Sequence, residues 1–246
     1  MSIPFSNTTT KGGLIQIVER NLGFADAGIS GDSTLLAQTT SDINIALDEA
    51  LSNIFEVGGT WQFDDSNHTD YPIITTNLVS GQRDYSFTVD GNSNLILEIF
   101  KVMVADQNGV FHEIKPVDVS SGRAPVNFDS GQNVTGIPNT YDKLANGIFL
   151  DAIPSYNYTA GLKIYINREA SYFTTSDTTK KAGFAGLYHI FLAWYASYMY
   201  AFRKSLPIAN GFLGEMNKTK EAMKDHYKSR EKDARKFIKP LRHSSR

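Results

Sequence analysis

The residues able to do chemistry are scattered along this sequence. Five histidines (His68, His112, His189, His226 and His243) have no second histidine three or four positions away, the spacing that puts two imidazoles on one helical face for a metal. Asp64, Asp65, His68 and Asp70 form the densest set of hard-cation ligands, in a polar connection where acidic residues are ordinary. Asp142 and Asp151 flank the turn Asn146-Gly147 and could be imagined as a glycosidase pair, although Asp beside a tight turn is common. Gly12-Gly13 precedes a helical pattern but follows no strand and lacks the later glycines of a phosphate loop. No Gly-x-Ser-x-Gly elbow occurs, and the chain has no cysteine, which removes thiolate nucleophiles, thiolate zinc sites and disulfides together. Several Asn-x-Ser/Thr sequons occur, at Asn67, Asn133 and Asn157 among others, but with no secretory leader evident at Met1–Lys11 they carry no expectation. The expectation is a non-enzyme with no cofactor and no catalytic or metal site.

The remaining chemistry is charge. The 246 residues have a formal net charge of −2. That average hides a segment, Asn217–Arg246, with eleven Lys and Arg against four Asp and Glu. Lys220, Lys224, Lys228, Lys232 and Lys236 recur every fourth residue there. Such a row can neutralise phosphates, grip an acidic protein surface, or simply face water. Alternation with Phe237, Ile238, Pro240 and Leu241 favours an acidic protein partner. Lys232, Arg235, Lys236, Phe237, Ile238, Pro240, Leu241 and Arg242 are therefore the candidate docking residues.

The elements that must position these residues follow from hydrophobic period. Leu14, Ile17, Val18 and Leu22 share a helical face that Gly23 should cap. Ile43, Ala46, Leu47, Ala50, Leu51, Ile54 and Phe55 mark a second helix ending at Gly58-Gly59. From Trp61 to Ala170 the period becomes two. Tyr71–Val79 reads as a strand, Gly81-Gln82 as a turn, and Leu95–Val104 with Val110–Ile114 as a hairpin about Asp106-Gln107-Asn108-Gly109. Asn146-Gly147 signals another hairpin. Leu162, Ile164 and Ile166 form the buried side of a further strand, and the polar stretch Val119–Pro138 reads as a long loop. Helix returns near Thr179. Ala182–Phe202 contains no Asp, Glu, Lys or Arg, long enough for a membrane span, yet its aromatics lie through the middle rather than at the ends. A helix buried on every side, in a core or between subunits, fits better. Phe184, Tyr188, Phe191, Trp194, Tyr195 and Tyr198 are therefore candidate subunit-interface residues. Pro207 breaks the chain before a last helix from about Asn210 to Lys236.

The plan is α+β: a four-helix bundle-like core with a β-rich, sandwich- or barrel-like insertion between helices 2 and 3. Its parts are 1–60, the N-terminal helical half; 61–170, the insertion; 171–236, the C-terminal helical half; and 237–246, a basic tail.

Three stretches carry a resemblance: Ile43–Leu51 leading to Trp61, Thr75–Tyr85, and Arg168-Glu169-Ala170 leading into Leu187–Arg203. With these the chain resembles the head-to-tail connector adaptor, or ring, proteins of tailed bacteriophages, the short-tailed type above all. The resemblance implies a structural virion protein in a homo-oligomeric ring, commonly dodecameric, that joins portal to tail around the DNA exit channel. Its partners would be the portal protein and the tail nozzle or other tail proteins, with genomic DNA passing through without sequence-specific binding and no membrane. It would act at the head–tail interface of the virion and assemble in the host cytoplasm. The alternatives are a nucleic-acid-binding protein using the lysine-rich helix and a tail-associated carbohydrate-binding module using the insertion.

Overall fold

Residues 2–58, 73–89, 93, 95–117, 134–144 and 147–230 are described by a computed structural model. The chain divides into two compact units, one from Met1–Asn67 with Tyr172–Arg246 and the other from His68–Ser171. The protein is mixed α+β.

In the first unit, α1 (Leu14–Leu22) ends as its glycine requires. Gly23 takes φ 73°, and the Gly23 and Phe24 amides donate back to Arg20 O and Glu19 O, closing a Schellman motif. The buried Glu19 carboxylate accepts from the amides of Ile29 and Ser30 and from the Ser30 hydroxyl, which fixes the following loop. Asp32 caps α2 (Ser33–Gly58), its Oδ1 accepting the Thr34 and Leu35 amides. Ile43, Ala46, Leu47, Ala50, Leu51 and Ile54 form the buried face of that helix.

The return to helix comes later than the pattern predicts. Instead of turning at Thr179, the chain runs beside the N-terminal segment: Phe5 N donates to Lys180 O at 2.7 Å and Ser6 N to Thr178 O at 3.0 Å. A short 3₁₀ turn at Gly186–Tyr188 leads into α3 (Ile190–Arg203). At about 1.5 Å per residue, 14 residues make some 21 Å, short of a bilayer's apolar thickness. No helix among the described residues is long and apolar enough to cross a membrane. After Pro207, α4 covers Ala209–Arg230. α3 is the hub, packed against α1, α2 and α4, while α4 also lies on α2. Ala193, Ala196, Ser197 and Ala201 are its buried small residues, which let neighbouring backbones approach.

Among the described residues the second unit forms a seven-stranded sheet: β1 (Ile73–Leu78), β2 (Asp84–Ser86), β3 (Ile96–Ala105), β4 (Phe111–Pro116), β5 (Thr140–Leu144), β6 (Gly147–Leu150) and β7 (Tyr158–Arg168). The β3–β4 hairpin turns on Gly109 at φ 82°, where Asp106 Oδ1 accepts the Asn108 and Val110 amides. β5 and β6 pair antiparallel. β1 and β2, consecutive in sequence, are not partners: the order is β1-β7-β3-β4-β5-β6-β2, which puts them at opposite edges. A flat sheet would separate those edges by six spacings, about 29 Å. The six chain steps from Leu78 to Asp84 reach only about 20 Å. The sheet must therefore curl, and it encloses one core in which Leu78 and Tyr85 from the two edges join Val102, Val104, Ile148, Leu162 and Ile164. The Tyr85 hydroxyl fastens the curl, accepting from the Val79 amide and donating to Gln82 O.

Candidate assembly surfaces

α2 carries three acids at seven-residue intervals, and each holds one cation. Asp42, nearly buried, receives Arg203 in a bidentate pair at 2.9 and 2.5 Å. Glu49 receives Lys220 at 2.7 Å and Glu56 receives Lys224 at 2.9 Å. A seven-residue interval returns to nearly the same helical face, so the acids form one seam. Hydrogen bonding to Asp42 raises the Arg203 pKa. The Lys224–Glu56 bond raises the lysine and lowers the carboxyl. Two members of the lysine row thus serve the fold rather than a partner. Beneath the ion pairs α4 buries Phe212, Met216, Met223 and Tyr227, and Tyr227 Oη accepts the Ala185 amide at 2.9 Å.

The predicted interface aromatics separate into two groups. Phe184 and Phe191 are fully enclosed in the first unit's own core. Tyr188, Trp194, Tyr195 and Tyr198 are half-buried. Trp194 stacks on Phe212 at 6.0 Å, Tyr198 lies 5.8 Å from Phe202, and Tyr188 lies 5.4 Å from His226. Burial raises the pKa of Tyr188 and of Tyr195, with smaller contributions from Asp225 and Glu49 respectively. At the two ends of this aromatic run Leu187 and Phe202 stand in solvent.

The predicted docking residues Lys232, Arg235, Lys236, Phe237, Ile238, Pro240, Leu241 and Arg242 lie outside the described residues, as do Asp64, Asp65, His68, Asp70, His243 and most of the loop Val119–Pro138. Among the described residues no group of three or more His, Cys, Asp or Glu could hold a metal ion. Asp142 and Asp151 are buried backbone acceptors: Asp142 takes the Lys143 amide and Asp151 the Asn139 amide. His189 is buried and tied to backbone, Nδ1 accepting from Ile3 N at 3.1 Å and Nε2 donating to Phe184 O at 2.9 Å. A groove of about 560 Å³ is lined by Pro4, hydroxyl and amide side chains of segments 6–9 and 178–179, and Lys181, with no carboxylate or imidazole in its wall. On the outer face of the sheet Lys163 covers the Phe111 ring at 3.7 Å and Lys101 lies 5.5 Å from that of Tyr165, so these rings are already capped on one side.

The seven-residue spacing of Asp42, Glu49 and Glu56 was the available signal for the seam. It emerges only when acids, rather than apolar residues, are read for period. No protein-family model matches the sequence, and no curated protein matches it.

Proposed function

We propose that this chain is a structural subunit of a tailed bacteriophage: a non-enzymatic adaptor ring that joins portal to tail around the DNA exit channel. The four helices act as its bundle-like core. The reading draws on the resemblance above, and one structural observation supports it most. α4 is clamped to α2 by Lys220–Glu49 and Lys224–Glu56 and anchored below by Met223 and Tyr227. The chain beyond it, 231–246, has six Lys and Arg against two Asp and Glu. A basic arm following a firmly held helix suits docking into an acidic groove of the portal, with Lys232, Arg235, Lys236 and Arg242 as charges and Phe237, Ile238, Pro240 and Leu241 as anchors. Occupation of Lys220 and Lys224 by glutamates weighs against nucleic acid as the partner of the lysine row, and the lysine-capped rings weigh against sugar stacking on the sheet.

Deleting residues 234–246 should leave thermal unfolding unchanged and abolish co-assembly with portal rings, read by native mass spectrometry or electron microscopy. Portal rings that still carry the truncated chain would refute the docking assignment.

A further inference from the structure

Two exposed patches, one in each unit, match each other in apolar content and oppose each other in charge. At the α3–α4 corner Phe202 is 63% exposed and Ile208 49%, on either side of a tight turn in which Ser205 takes φ 53°. Residues 199–209 include Arg203 and Lys204 and no acid. Arg203 is held by Asp42, but Lys204 makes no ion pair among the described residues. The corner is apolar with a cationic rim.

In the second unit the start of β3 shows the reverse. Leu95 is 52% exposed, Leu97 57% and Val89, bridged to Leu95, 43%. A bulge between Ile96 and Glu98 leaves Leu97 outside the core. The Glu169 carboxylate accepts the Leu95 amide at 2.9 Å, and exposed Glu98 lies three residues past Leu95. Among the described residues of 89–98, Glu98 is acidic and none is Lys or Arg. This patch is apolar with an anionic rim.

We infer that the occupant of the α3–α4 corner is a second copy of this chain, which presents its Val89–Leu95–Leu97 patch with Glu98 and Glu169 to Phe202, Ile208 and Lys204. Apolar centres with opposite charges around them are the pattern of a specific interface. Two different surfaces of one chain that bind each other make a heterologous contact, the kind that builds rings when it closes. The inference rests on the ring reading and supplies the contact that reading lacks.

Sedimentation equilibrium of the full chain over rising concentration tests it. Wild type should self-associate, and more weakly at high salt. Phe202→Ser, Leu97→Ser, Lys204→Glu and Glu169→Lys should each weaken association about tenfold or more. The Lys204→Glu/Glu169→Lys pair should recover most of the loss, because the charges are exchanged rather than removed. Unchanged circular dichroism and unfolding midpoints would show that all variants fold. A chain that stays monomeric at every concentration would overturn the inference, and so would a reversed pair no better than its single members. Association that depends on Phe202 but not on Leu97 or Glu169 would indicate corner-to-corner pairing and would equally overturn it. The truncation at 234 touches neither patch, so failure of portal docking and failure of this contact are read separately.

Discussion

Asp42 and Asp106 show what single carboxylates do in this protein. Asp42 is nearly buried and its charge is met by both terminal nitrogens of Arg203, whose side chain remains 41% exposed. Arg203→Ala would leave that carboxylate without its cation. With solvent able to reach the site, the cost should be about 1–2 kcal/mol in chemical denaturation. Asp106 acts on the backbone instead. Its bond from the Val110 amide is the main cause of a pKa lowered from 3.8, with further help from His112 and the Asn108 amide. A lowered carboxyl favours the folded hairpin above its ordinary value, and that contribution disappears as pH falls through the lower, folded one. Acidification below about pH 3.8 should therefore shift the Asn108 and Val110 amide resonances, with a midpoint below that value. Asp106→Asn should remove the titration. A midpoint at or above 3.8 would contradict the assigned geometry.

At the scale of elements, α4 poses a question of dominance, since it is held both by ion pairs and by buried side chains. Lys224 and Glu56 meet near solvent, where screening leaves such pairs little net stabilisation. Met223 and Tyr227 are wholly buried. Met223→Ala should cost about 2–4 kcal/mol and Lys224→Ala far less, measured by urea denaturation. The ion pairs set where α4 lies along α2, and the apolar residues hold it there. Local features of this kind were legible in the sequence: Gly23 as a cap, Asp106-Gln107-Asn108-Gly109 as a turn, and Leu162, Ile164 and Ile166 as one buried side. Each is decided by neighbours within a few positions. The delayed start of α3 was not legible, because residues 178–180 are claimed by amides of Phe5 and Ser6, more than 170 positions away. The separation of β1 from β2 was hidden for the same reason, since a turn says that the chain reverses and not which strand it will meet. The interface set read from α3 mixed two populations because a charge-free run does not reveal which aromatics the protomer encloses. Phe184 and Phe191 are enclosed, whereas the exposed Phe202 at the end of the run escaped the set.

For the whole molecule, the near-neutral total charge is the sum of unlike parts that partly meet inside the chain. Three basic residues are held by the acids of α2, so the surface available to partners is less polarised than the sequence suggests. The first unit is assembled from two stretches separated by about a hundred residues. β1 and β7, the first and last strands of the inserted unit, are sheet neighbours, and Ile73 pairs with Tyr165. Folding of the insertion therefore shortens the effective loop between the two halves of the helical unit from about a hundred residues to about ten. That saves on the order of 2 kcal/mol of closure entropy. Ile164→Ala, in the insertion's core, should cost that unit about 2–4 kcal/mol. Under mild denaturant it should also speed hydrogen exchange in α1 and α2, which belong to the other unit. During synthesis α1 and α2 emerge first and wait for α3 and α4, so Ile43, Leu47, Ala50 and Ile54 face water until the strands close. The insertion is thus a kinetic staple, and the time its sheet takes to form sets how long those side chains stay open to aggregation.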